Sequence, residues 1–218
     1  MALTPSALRA ALKAPLPGYG SFTALSGYPR PTVEAALQAN PPLRESAVLI
    51  LVHPVDGVDH TLLMRRPVYK GVHSGQIGFP GGKKEPGDPS LLATALREFT
   101  EETGAPTAGF EVVGQLSRIP IPPSRTVVTP VVAWSSSLGR LAPDRREVAQ
   151  LMDIPLHELL RDDILRRKPF AMGLDGAVRM AAYWDVRGEV VWGATAMMIA
   201  ELRTALGYPV PAPPWERS

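Results

Sequence analysis

An α/β fold is predicted for this chain, an α/β/α sandwich around a mixed β-sheet. Three observations carry the prediction. Apolar or alternating runs of strand length recur between residues 47 and 192. Two longer segments, 88–104 and 194–206, read as helices. Strand-like and helix-like segments interleave instead of falling into separate halves.

Ser6 to Lys13 and Thr32 to Gln38 read as short helices flanking a Pro/Gly/Tyr-rich stretch. Ala47 to Val52 is a continuous apolar run, a buried strand. Asp56-Gly57-Val58-Asp59 signals a turn, and His60 to Met64 is its partner strand. Residues 65–78 form a long loop rich in Gly, Arg and His, of a kind that is often functional. Asp88 suits a helix N-cap, Pro89 the first helical position and Gly104 the C-terminal stop. Leu92, Leu96, Phe99 and Thr103 mark a core-facing stripe, with Glu98 and Glu102 on another side. Strands follow at Phe110 to Leu116 and Thr126 to Ala133. Glu147 to Pro155 reads as a strand entered from a loop, and Leu156 to Leu160 as a short helix. Tyr183 to Val186, Arg187-Gly188 and Val190 to Trp192 make a hairpin, and the last helix runs from about Ala194 to Leu206. The expected organisation is an N-terminal extension over 1–44 packed on the domain, a main domain over 45–207 and a Pro-rich tail over 208–218. An interface role for the extension, in a homodimer for example, is compatible with the same residues.

Composition narrows the class. Hydrophobic residues make up 45% and charged residues 20%, enough for a full core and too balanced for disorder. The net charge of +2 comes with no basic run or aromatic stripe, so no nucleic-acid partner is expected. Cysteine is absent, which excludes disulfides, thiolate metal sites and cysteine nucleophiles. No apolar run approaches a membrane span, so no membrane partner is expected either. The N-terminal Met-Ala-Leu-Thr-Pro-Ser lacks the basic and apolar regions of a secretion signal, and a cytoplasmic location is the expectation.

The chemistry concentrates in residues 79–105. A Phe79-Pro80-Gly81-Gly82 turn precedes a helix whose end carries Glu98, Glu101 and Glu102. Residues three and four apart are neighbours on a helix, so these carboxylates crowd and repel. They also sit near the C-terminal end, where negative charge is disfavoured. Hard divalent cations with oxygen ligands would neutralise them, and Mg²⁺ is typically bound by a few carboxylates together with substrate phosphates. Glu98 and Glu102 are the expected principal ligands and Glu101 a third. Arg97 stands four residues before Glu101 and is expected to pair with it and orient it.

This stretch resembles the Nudix box, G-x5-E-x7-R-E-U-x-E-E-x-G-U, where U is aliphatic. Gly82, Arg97, Glu98, Glu101, Glu102 and Gly104 match in type and order, while Phe99 and Ala105 stand at the U positions. The register departs once. Six on from Gly82 is Asp88 rather than Glu, and Arg97 arrives one residue late, so the chain carries one extra residue between turn and helix. A narrower pattern precedes the box: Leu62-Leu63-Met64-Arg65-Arg66-Pro67, then Gly75, then Phe79-Pro80-Gly81-Gly82. It is similar to the coenzyme A pyrophosphatase branch of the superfamily, with Pro67 in place of the usual Ser and Gly71 in place of the usual Arg.

The resemblance implies the Nudix fold and a pyrophosphohydrolase using Mg²⁺ or Mn²⁺, with a backbone carbonyl of Gly81 or Gly82 completing the coordination. It implies a nucleotide substrate, coenzyme A or a derivative, cleaved to 3′,5′-ADP and 4′-phosphopantetheine. Arg65, Arg66 and Lys70 lie in the loop that would supply cations to such a ligand. The Glu147-Val148-Ala149-Gln150 segment resembles the family's later loop, which makes Glu147 the candidate general base. His73 is read as a turn-capping residue, with a phosphate contact as the alternative, and Trp192 as a core residue, with stacking on adenine as the alternative. Two other readings remain: a Nudix enzyme for another nucleoside diphosphate derivative or nucleoside triphosphate, and a non-catalytic nucleotide-binding module.

Overall fold

The structure is a computed structural model and describes residues 3–26, 28–71, 73–171 and 177–212. Helices α1 (Pro5–Lys13), α2 (Thr23–Ser26) and α3 (Val33–Gln38) make up the N-terminal arm. Thr4 and Thr32 cap α1 and α3, each hydroxyl accepting a backbone N–H at 3.1 Å. Then come β1 (Arg44–Val55), β2 (Val58–Arg65), β3 (Ile77–Gly78), β4 (Gly81–Lys83) and helix α4 (Leu91–Thr103). Strands β5 (Glu111–Gln115), β6 (Ile119–Ile121), β7 (Thr126–Trp134) and β8 (Gln150–Pro155) lead to α5 (Leu156–Leu159). The chain closes with β9 (Leu165–Ala171), β10 (Val178–Val186), β11 (Glu189–Val191) and α6 (Gly193–Ala205). The last six residues of the Pro-rich tail lie outside the described residues.

The main sheet has the path β3-β2-β1-β7-β5, with β4 on β1, β6 on β7 and β8 on β2. It is mixed: β1 runs parallel to β7, and the other pairs are antiparallel. Strand β1 carries two cores because side chains alternate along it. Leu49 and Leu51 point to a cluster with Phe99 of α4, while Ile50 and Val52 join Leu8 of α1 and Met198 and Leu202 of α6. Helices therefore cover both faces, which is the α/β/α sandwich. A second antiparallel sheet, β11-β10-β9, packs its Trp184 into the α6 side.

Strand β9 has no counterpart among the sequence expectations. It reads Leu-Arg-Arg-Lys-Pro-Phe-Ala, an edge strand with mostly exposed side chains, so it lacks an apolar signature. The arm is tied down by polar contacts. Buried Glu201 of α6 accepts the Gly18 N–H at 3.0 Å and the Ser117 N–H at 2.7 Å. Trp134 Nε1 donates to the Leu3 carbonyl at 3.0 Å. Among the described residues no helix is long and apolar enough to cross a membrane.

Candidate active site

Strand β1 changes partner halfway. Val52 to Val55 pair with β2, whereas Ser46 to Val48 pair with β4. The Pro80 carbonyl accepts the Leu49 N–H at 2.8 Å, which seats the glycine turn at the fork. Gly81 has φ +153°, and a Cβ there would fall on the Ala47 carbonyl oxygen and 2.5 Å from Val48 Cα. A Cβ on Gly82 would overlap the Glu98 carboxylate. Gly81 is held to glycine by the backbone of the neighbouring strand, whereas Gly82 faces the movable end of the Glu98 side chain.

Helix α4 begins later than expected. Ser90 is the N-cap, its Oγ accepting the Ala93 N–H at 3.1 Å, and Pro89 lies outside the helix. Asp88 is drawn elsewhere. Its carboxylate accepts from Arg97 Nε at 3.0 Å and Arg97 Nη2 at 2.9 Å, and from the Glu85 N–H and the Thr94 hydroxyl at 2.9 Å each. Ser and Asp cap helices about equally well, so the fork of Arg97 decides which of the two is used. That guanidinium holds the Asp88 carboxyl well below the usual carboxylate range. Asp88→Asn is therefore expected to lower Tm at pH 7. A depressed folded pKa gives stability above the unfolded value, so the gap to wild type should close as pH falls below about 4. Thermal melts across pH check this; a pH-independent gap would refute it.

Arg97 also reaches Glu101 Oε2 at 2.8 Å, Glu98 Oε1 at 3.1 Å and the Lys83 carbonyl at 3.1 Å. The three box carboxylates are thus not equivalent. Glu102 is 2% exposed, and its Oε2 accepts the Gly81 N–H at 2.6 Å. Burial lifts its pKa to about 7, against the pull of Arg66 and the Gly81 N–H. Glu98 is also raised by burial, less than fully offset by Arg97. Glu101 is more than half exposed and outside the cleft lining. Among the described residues no three acidic or histidine side chains are gathered to hold one ion. The crowding expected on one helix face is relieved by three separate cations and donors: Arg97, Arg66 and the Gly81 N–H.

Glu98, Glu102, Gly81, Gly82 and Glu147 line one cavity of about 600 Å³. Glu147 is exposed and sits in the turn before β8. A second cavity of about 610 Å³ adjoins it, sharing Val48, Arg66, His73, Ile121, Pro123 and Val128. Together they form one elongated cleft. Of the loop cations, Arg66 enters it, donating to the Gly81 carbonyl at 3.1 Å and standing 3.8 Å from Glu102. Arg65 does not, being ion-paired to Glu189 of β11. Lys70 is exposed and outside the lining of either cavity. His73 lines both cavities, with Nδ1 2.9 Å from Gln76 Oε1, and burial lowers its pKa. Trp192 is half-buried on the cleft wall, stacked on Phe170 at 4.4 Å, rather than in the core. Tyr28 and Arg30 of the arm also line the cleft. Nothing local in their Gly-Tyr-Pro-Arg surroundings signals that role, because the arm folds over the site from a distance.

The span 43–172, which holds the forked strand, the glycine turn and α4, matches the NUDIX domain, and the chain belongs to the Nudix hydrolase family. An uncharacterized Nudix hydrolase NudL of Yersinia enterocolitica is 38% identical over 142 residues, covering 65% of this chain and 71% of that one. A Yersinia pestis protein of the same name is 36% identical over 161 residues, covering 73% and 78%. A crystal structure of a NUDIX hydrolase from Alicyclobacillus acidocaldarius shares the fold, with TM-score 0.52 and 15% identity over 78% of this chain and 98% of that one.

Proposed function

We propose that this Nudix enzyme hydrolyses the diphosphate bond of coenzyme A or its derivatives, using Mg²⁺ or Mn²⁺, to 3′,5′-ADP and 4′-phosphopantetheine. One observation carries the reading. Two desolvated carboxylates, Glu98 and Glu102, lie against the Gly81–Gly82 backbone at one end of a cleft whose other half is large and carries an aromatic and basic wall. The donor set is all oxygen, which suits a hard divalent ion. Two carboxylates are enough for Mg²⁺, which keeps several waters and takes further oxygens from substrate phosphates. Glu98, Glu102 and the Gly81 carbonyl are the groups that would hold it. When bound, such an ion supplies Lewis-acid chemistry, polarising phosphoryl oxygens and acidifying the attacking water.

The chain's own groups do the rest. Arg97 fixes the helix end by holding Asp88, Glu98 and Glu101 at once. Arg66 places a guanidinium beside the Gly81 carbonyl, within reach of diphosphate oxygens. Glu147, exposed on the rim, takes the proton of the attacking water as its oxygen bonds to phosphorus and the bridging P–O bond breaks.

A second reading keeps the chemistry and changes the substrate to another nucleoside diphosphate derivative. It is favoured by Gly71, where the branch carries Arg, and by the commitment of Arg65 to Glu189. The deciding experiment incubates the enzyme with Mg²⁺ in ¹⁸O-water, with coenzyme A, ADP-ribose and a dinucleoside polyphosphate in parallel. Mass spectrometry should find 3′,5′-ADP and 4′-phosphopantetheine, one of them labelled. Cleavage of ADP-ribose with coenzyme A untouched would transfer the assignment to the second reading.

A further inference from the structure

The half of the cleft away from Glu98 and Glu102 is lined by Arg30, Arg66 and His73, and among the described residues no carboxylate lines it. Arg30 is the unusual member. It comes from the N-terminal arm, and among the described residues it has no carboxylate partner. Its Nε donates to Ser26 Oγ at 2.8 Å and its Nη1 to the Pro120 carbonyl at 2.6 Å. Its guanidinium lies 4.6 Å over the Tyr28 ring. These contacts, with the Tyr28 side chain also bonded to it, hold the fork in place.

A cation withdrawn from water normally carries a counterion, because desolvation without pairing is costly. Desolvation here already weakens the hold of Arg30 on its proton. Arginine, planar and fixed in orientation, suits a phosphate better than a lysine would.

We propose that Arg30 binds a phosphate monoester of the substrate, separate from the scissile diphosphate, and so selects nucleotides that carry this extra group. The inference rests on the diphosphate reading for the acidic half of the cleft. It assigns to the arm the recognition that Arg65 and Lys70, outside the cleft lining, do not supply.

The test is calorimetric titration with adenosine 3′,5′-bisphosphate and with adenosine 5′-monophosphate, both with Mg²⁺ present. Wild type should prefer the bisphosphate about tenfold, the size of one charge-assisted contact. Arg30→Gln should bring the ratio close to one, and Arg30→Lys should recover part of it. A purely structural Arg30 would act by loosening the arm. Tyr19→Phe provides that control, since it removes the 2.6 Å hydrogen bond from the Tyr19 hydroxyl to the Pro31 carbonyl. Its Tm should fall with the ratio intact. A wild-type ratio near one, an unchanged ratio in Arg30→Gln, or an equal loss in Tyr19→Phe would each overturn the proposal. Failure to hydrolyse coenzyme A with the ratio intact would sink the substrate reading and leave Arg30 in its role.

Discussion

Glu102→Gln is expected to keep the fold and lose about a thousandfold in kcat, the scale of removing an essential charge from a metal-assisted site. The amide still offers an oxygen to the Gly81 N–H, so the turn retains its anchor. What disappears is a buried negative charge. That charge is costly to the metal-free protein. The folded pKa of about 7 stands above the ordinary 4.5, so the native state binds this proton more tightly than the unfolded chain. Stability of the metal-free enzyme therefore declines as pH rises from about 4.5 through 7, on the order of 3 kcal/mol in full. Glu102→Gln should remove that slope and melt higher than wild type at pH 8 without metal. Added Mg²⁺ should raise Tm for wild type far more than for the variant. Activity assays and calorimetry at pH 5.5 and 8, with and without chelator, check both halves. A variant with normal kcat would refute the assignment of Glu102.

The second large effect separates two adjacent glycines. Gly81→Ala should fail to fold, because its Cβ meets the backbone of Ala47 and Val48 in the middle of the sheet, at a φ that L-residues rarely adopt. Gly82→Ala should fold, because its Cβ meets the end of the Glu98 side chain, which can rotate away. The displaced carboxylate then leaves the site, and kcat/KM should drop about a hundredfold while Tm changes little. Circular dichroism melts and kinetics of the two variants distinguish them. A soluble, active Gly81→Ala would contradict the fork geometry.

Much of this was legible in the chain. The 47–52 run, the 56–59 turn, the hairpin at Arg187-Gly188 and both long helices appear close to where their periodicity places them. Local patterns fail where a distant residue decides. Asp88 is taken from the helix cap by Arg97, nine residues on. Glu101 is taken from the cleft by the same guanidinium. Arg65 is taken by Glu189, far along the chain, a pairing no motif contains. Arg30 and Tyr28 carry no signal at all, since their importance comes from where the arm lies. The helix stripe faces the core as its spacing predicts: Phe99 and Thr103 are buried, Leu92 and Leu96 are half-buried against the same core, and Thr94 and Ala95 join them.

The contacts of Arg97 and Arg66 have an electrostatic corollary. Asp88, Glu98, Glu101 and Glu102 face these two guanidiniums, so with every carboxyl ionised the helix end carries two uncompensated negative charges. A single dication brings that count to zero. A diphosphate ester would then arrive as a new anion with Arg66 already shared with Glu102, and a further cation would favour it. On the proposed diphosphate reading, ligand affinity is expected to rise more steeply than the first power of free divalent-ion concentration.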